Sequence, residues 1–261
     1  MGFTIRYYFS PKVGNSDKEY EDAFSPKPRK STIDRDTLAV AIADGATESS
    51  FASLWATQLT QQFVRKPFRE VIAFQGWLEP LSKNWWECIN GYSLPWYAEE
   101  KVRYGAFSTF LGLQFFFDRD PSSSQGSWTA IAIGDSCVFQ LRDGNLFCSF
   151  PISRSSEFGN SPPLLSSNLR ANSTIWDKVK TYSGTWEIGD AFLLATDAIA
   201  YWFLSEHERG NHPWHSFKHF FQDRKKDKAF RKWIDGLRTS SQMKNDDVTL
   251  VYISPVSNAA K

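Results

Sequence analysis

Leu38-Ala39-Val40-Ala41-Ile42-Ala43-Asp44-Gly45 is an apolar run that stops abruptly on a carboxylate and a glycine. Small and branched apolar residues in unbroken succession predict a strand buried on both faces, and Asp-Gly predicts the turn that ends it. Asp44 is therefore expected at a strand end, where a carboxylate has little rotamer freedom, and Gly45 lets backbone carbonyls come close. A single Asp-Gly is ordinary turn punctuation. Here, however, the arrangement recurs. Ala191 to Thr196 is a second buried run ending in Asp197-Ala198, and Trp128 to Ile133 ends in Gly134-Asp135-Ser136. Asn245-Asp246-Asp247 precedes the apolar run Val248 to Ile253, and Glu21-Asp22 precedes Ala23-Phe24.

Working outward, Ser49 or Ser50 is expected to cap a helix carrying Ala52, Trp55, Ala56, Leu59 and Phe63 at helical spacing. Residues 3–9 alternate weakly and read as an edge strand. Residues 65–104 interleave Trp77, Trp85, Trp86, Trp96 and Tyr97 with charge, the pattern of amphipathic helices packing aromatic faces. An aromatic platform or lid is the alternative for that region. Residues 106–117 read as one strand. Arg142-Asp143-Gly144-Asn145 separates two further strands as a hairpin turn, so the sheets are expected to be antiparallel. Pro151 to Asn172 is rich in Ser, Pro and Asn and reads as a long surface loop. A helix is expected near Ile199, with Trp202, Phe203 and Leu204.

The length of 261 residues fits one large domain over 1–261, with two small ones as the alternative. With 30 Lys+Arg against 29 Asp+Glu, the net charge of +1 argues against a general nucleic-acid binder. No apolar run approaches the roughly 18 residues that cross a bilayer. The three cysteines, Cys88, Cys137 and Cys148, form no C-x-x-C pair and read as small buried hydrophobes in a reducing compartment. A cytoplasmic monomer is the expectation. His215 and His219 share a helical face at i, i+4, but no carboxylate or cysteine completes a zinc motif there. Arg224-Lys225-Lys226, Lys228, Arg231 and Lys232 read as a solvated helix face or a basic patch.

Asp22, Asp44, Asp135, Asp197 and Asp246 thus each stand at the edge of an apolar segment. Gathered at one end of a sheet they would repel one another unless a positive charge lay between them. Oxygen ligands without histidine or cysteine suit magnesium or manganese. Two such ions can lower the pKa of a bridging water and hold a phosphoryl oxygen for in-line hydrolysis. These residues predict a metal-dependent hydrolase without naming its substrate.

In order along the chain, Glu21-Asp22-Ala23-Phe24, Ala43-Asp44-Gly45, Gly134-Asp135-Ser136, Gly189-Asp190 with Leu193-Leu194-Ala195-Thr196-Asp197, and Asp246-Asp247-Val248-Thr249 resemble the metal-dependent protein phosphatases of type 2C. The resemblance spans roughly residues 10–254. It is closest to a bacterial branch, through Ala43-Asp44-Gly45-Ala46-Thr47-Glu48-Ser49-Ser50 and Thr196-Asp197-Ala198. It implies an α+β fold, a four-layer αββα sandwich of two antiparallel sheets flanked by helices, with the metals between the sheets at one end. It also implies two Mn2+ or Mg2+ ions bridged by Asp44, with the Gly45 carbonyl on one and Asp197 and Asp246 on the other. Asp22 would orient metal-bound water, with Glu21 beside it, and Asp135 with Asp197 would hold a weaker third ion. The implied reaction is direct attack of that water on a phosphoserine or phosphothreonine protein, with no covalent phosphoenzyme, in a signalling role.

The sequence departs from the family on the substrate side. Ala46, Thr47 and Glu48 follow Gly45 where members commonly read Asp-Gly-x-Gly-Gly, and Ala46 stands where some have histidine. Ala198 replaces the glycine after Asp197. Asp17 stands where a phosphate-binding arginine is expected, with Lys18 the nearest substitute. Two alternatives therefore stand beside the active phosphatase: a catalytically inactive phosphatase-like module that binds a phosphorylated partner, and a hydrolase of small phosphoesters.

Overall fold

The computed structural model describes residues 1–27, 32–33, 37–92, 96–118, 123–221 and 227–257. In chain order its strands and helices are β1 (Gly2–Ser10), β2 (Ala23–Ser25), β3 (Thr32–Ile33), β4 (Thr37–Ala43), α1 (Ala52–Arg65), α2 (Val71–Ile89) and α3 (Trp96–Tyr104). There follow β5 (Phe107–Ser108), β6 (Phe110–Phe117), β7 (Gln125–Ile133), β8 (Cys137–Arg142), β9 (Asn145–Phe150), β10 (Leu165–Ser166), β11 (Lys180–Glu187) and β12 (Ala191–Ala195). Helices α4 (Asp197–Glu208), α5 (Trp214–Phe221) and α6 (Asp227–Thr239) lead to the last strand, β13 (Val248–Val256). One sheet runs β3-β1-β13-β12-β8-β9, the other β11-β7-β6-β4-β2, and β5 pairs with β10 as a small third ladder. All of the pairings are antiparallel.

Period-two alternation shows why the quoted run is apolar throughout. Leu38, Val40 and Ile42 face a core between the two large sheets, with Phe115, Phe192, Leu194 and Val251. Ala41, on the opposite face, joins a second core with Trp55, Leu59 and Phe63 of α1 and Phe74 and Trp85 of α2. Leu193, Ala195, Val248 and Leu250 face a third core made with α4, α5 and α6. Both sheets are thus covered on both faces, and four layers result, as expected. The small residues of β4 face α1 because the helix comes close. Ala41 pairs with Gly112 of β6, and a side chain on Gly112 would meet the Phe63 ring at 2.6 Å.

The departures from expectation have local causes. Helix α1 begins after Phe51, which adopts φ 60°, and no side chain caps it. Ser49 is committed elsewhere, donating to the Ala46 carbonyl and accepting from the Phe107 amide. β1 pairs with both β13 and β3, so among the described residues it is not an edge strand. The run 106–117 breaks at Thr109 into β5 and β6. Trp77 and Trp85 are core residues, which favours packing over a platform for α2. Cys137 is buried, but Cys88 is exposed, accepting from the Gln58 amide at 3.8 Å. Arg224-Lys225-Lys226 lie outside the described residues. The expected hairpin is present, with Asp143 and Gly144 both at positive φ. No helix among the described residues is long and apolar enough to cross a membrane.

Candidate active site

Antiparallel register brings the five strand-end aspartates to one end of the sandwich. Ala23 pairs with Ala43, so Asp22, before β2, and Asp44, after β4, leave the same end of their sheet. Phe110 pairs with Ile133, which puts the Gly134-Asp135 turn at that end too. In the other sheet Ala195 pairs with Leu250 and Cys137, and Ser10 with Val248, so Asp197 and Asp246 emerge beside the same turn. Gly134 (φ 98°) makes the tight turn into Asp135.

The backbone around Asp44 is tightly held. Its amide donates to Thr109 Oγ1 at 3.0 Å, and its carbonyl accepts from the Thr109 amide and from Ser108 Oγ, both at 2.8 Å. Thr109 Oγ1 in turn contacts Ser136 Oγ at 2.9 Å, linking the Asp44 and Asp135 turns. The break at Thr109 thus supplies the groups that fix Asp44. Gly45 cannot carry a side chain, since a Cβ would lie 2.7 Å from the Glu21 carbonyl and 3.0 Å from Ala52.

Asp22 lies behind this turn, 5% exposed. Its Oδ2 accepts from Thr196 Oγ1 at 2.9 Å and Thr249 Oγ1 at 2.8 Å, and Tyr20 OH contacts Thr249 Oγ1. Asp247 is a buckle: it accepts the Lys12 amide at 2.8 Å and the Glu21 amide at 2.7 Å, tying two distant segments to the start of β13.

Asp44, Gly45, Asp135, Asp197 and Asp246 line one cavity of about 670 Å³. Its outer walls are Thr47 and Glu48, Lys101 and Tyr104 of α3, and Gly159 to Pro162 of the long loop. Five of the six expected ligands therefore share a cavity, and Asp22 stands in a row behind. Burial first, then the neighbouring carboxylates, push Asp22, Asp44, Asp135 and Asp197 up. Asp22 is held well above the usual range by burial and Asp247, and Asp44 by burial and Asp22. Asp135 is pushed to about 7 by burial and Asp197, and Asp197 is raised by burial and Asp246. Asp22 Oδ1 and Asp135 Oδ1 are buried without a hydrogen-bond partner. Orphaned carboxylate oxygens in an all-oxygen donor set fit a hard divalent cation.

Among the described residues, no three His, Cys, Asp or Glu side chains are drawn together closely enough to hold a metal ion as the chain stands, His215 and His219 included. At the Asp197–Asp246 side the positive charge is an ammonium: Lys244 Nζ lies 2.6 Å from Asp246 Oδ2 and 3.7 Å from Asp197 Oδ2. A second lysine marks Glu21. Lys12 Nζ is 3.1 Å from Glu21 Oε2 and 3.0 Å from Thr47 Oγ1, and Thr47 donates to Glu21 at 2.7 Å. Asp17, at the expected arginine position, binds Arg231 through both oxygens at 2.7 and 3.0 Å. Lys18 lines the adjoining cleft, but the cation bonded to Glu21 is Lys12. Neither Lys12, Lys244 nor Lys101 carries a sequence signal. Thr196 and Thr249 had one, since each lies within a strand-end motif.

Asp190 belongs to the other end of β12. It is fully buried and held by Arg142 Nε at 2.8 Å, Arg142 Nη2 at 2.7 Å and Gln140 Nε2 at 2.8 Å, a structural role.

No curated protein matches the sequence significantly. Among solved structures, the catalytic domain of the serine/threonine phosphatase PstP in complex with two manganese ions superposes with a TM-score of 0.56 at 14% identity, covering 98% of this chain and 100% of that one. The Mycobacterium tuberculosis serine/threonine phosphatase PstP/Ppp gives 0.59 at 13% identity, covering 98% and 100%. A bacterial serine phosphatase gives 0.53 at 10% identity, covering 98% and 99%. At such identities the likeness is one of fold. The sequence match is separate evidence: a family model described as protein phosphatase 2C covers residues 15–245, from the acidic loop before Asp22 to the residue before Asp246. With most of the chain inside that match and the strand-end aspartates gathered where the fold brings them, this protein belongs to the protein phosphatase 2C family.

Proposed function

We propose that the chain is a metal-dependent serine/threonine protein phosphatase acting through one domain. The observation that carries this reading is that four separate strand ends direct Asp44, Asp135, Asp197 and Asp246 onto one solvent-reaching cavity. Asp44, the Gly45 carbonyl, Asp197 and Asp246 would hold two Mn2+ or Mg2+ ions, and Asp135 with Asp197 a third. Bound there, the ions supply an activated water and charge for the phosphoryl oxygens.

The chain's own groups do the rest. Asp22, fixed by Thr196 and Thr249, is a rigidly held carboxyl group directly behind Asp44. Lys12 and Thr47 hold Glu21 in one orientation. Lys101, Tyr104, Asn160 and Ser161 on the outer walls offer polar partners to the polypeptide that carries the phosphoryl group. The cavity volume of about 670 Å³ falls in the range of small-molecule sites and accommodates a phosphorylated side chain with its flanking backbone.

The test is phosphate release from a phosphothreonine peptide and from p-nitrophenyl phosphate, in manganese and in excess EDTA. Turnover of the peptide in manganese and none in EDTA is the expected result. Capture of the phosphopeptide without turnover would identify a binding module, and turnover of the small ester alone a small-phosphoester hydrolase.

A further inference from the structure

Lys244 occupies an unusual place for an exposed lysine. Its side chain is 69% exposed, yet its ammonium reaches back to two carboxylates that are only 20% and 24% exposed. The backbone on either side of it is anchored. Met243 is buried in the core under α4 to α6, and its amide donates to the Leu237 carbonyl. On the other side, the Asp246 carbonyl accepts from Arg238 at 2.5 Å. With the backbone held on both sides, the four-carbon stem carries the ammonium from a fixed point at the rim of the cavity.

We propose that Lys244 is a tethered competitor for the divalent ion: its ammonium neutralises Asp197 and Asp246 while no ion is bound, and an incoming ion must displace it. The inference rests on the metal-dependent reading above. Lysine suits this role because its charge is a compact point on a flexible stem, and leaving costs it no buried contacts. A divalent ion brings twice the charge and accepts several oxygen ligands, so it wins once its concentration is sufficient. An ion pair occupied in about nine molecules of ten leaves about one in ten competent, which weakens the apparent metal affinity about tenfold. Lys244 therefore sets the metal concentration at which the centre fills.

The experiment is calorimetric titration of the full chain with manganese chloride, comparing wild type, Lys244→Met and Lys101→Met. Lys101 lines the same cavity and removes the same charge, but it is not paired with Asp197 or Asp246. Lys244→Met is expected to bind manganese about tenfold more tightly, and Lys101→Met within about twofold of wild type. Equal affinities in wild type and Lys244→Met, or the same gain in both variants, would overturn the inference and leave the metal-dependent reading standing. Absence of manganese binding in all three would overturn both. A readout on the unaltered protein complements this: amine-selective acylation of Lys244 is expected to rise when manganese is added in place of EDTA. Labelling that is unchanged would refute displacement.

Discussion

Replacing Asp135 by asparagine should make the metal-free protein more stable at neutral pH, and only there. Asp135 is 6% exposed, one of its oxygens has no partner, and burial together with Asp197 raises it from 3.8 to about 7. A carboxyl raised in the folded state binds its proton more tightly there than in the unfolded chain. Its contribution is therefore most favourable below 3.8 and is lost progressively as pH rises to about 7. At ~1.36 kcal/mol per pH unit, the whole interval amounts to about 4 kcal/mol, and the part between pH 5 and pH 7 to about 3 kcal/mol. Asparagine has no proton to lose and its amide brings two donors to the site. Urea unfolding of wild type and Asp135→Asn in EDTA, at pH 5 and pH 8, reads the difference directly. The variant should gain about 3 kcal/mol on wild type between the two pH values. A difference that stays constant, or a variant that loses ground at pH 8, would refute the claim that the cluster holds uncompensated charge.

Further predictions concern the fold that carries the site. Gly112→Val places a side chain against the Phe63 ring, where even a Cβ would lie at 2.6 Å, and should cost about 1–3 kcal/mol, seen as a melting temperature lowered by several degrees. An unchanged melting temperature would show that α1 has room to move. Arg142→Ala strands the fully buried Asp190 without its charged partner and should cost about 3–5 kcal/mol in chemical denaturation. Manganese affinity in the folded fraction of that variant should be unchanged, because Asp190 lies at the far end of β12 from Asp197.

The legible part of this protein was its strand ends. Asp44, Asp135 and Asp197 announce themselves because an apolar run stops on each, and antiparallel pairing then brings them together without further information. The division of β4 into large residues toward the facing sheet and alanines toward α1 follows from the same run. The illegible part was whatever depends on partners distant in the chain. Lys12 gains its meaning only when Asp247, 235 positions later, accepts its amide. The break at Thr109 is hidden because Ser108-Thr109 is a short polar step inside an otherwise apolar run, yet the Thr109 amide and hydroxyl are what fix Asp44. The start of α1 is hard to read because Ser49, a good cap by type, is drawn to Phe107 instead. Lys18, the nearest substitute in sequence for the missing arginine, lines the cleft beside Glu21, and the cation bonded to Glu21 there is Lys12.

In the proposed phosphatase centre Asp44 is the ligand shared by the metal ions. Manganese binding and phosphothreonine-peptide hydrolysis, measured side by side in wild type and Asp44→Asn, probe that role. Metal-dependent turnover is expected in wild type, with both binding and turnover lost in the variant while its fold is retained by circular dichroism. Turnover that survives the substitution, or proceeds unchanged in EDTA, would contradict it.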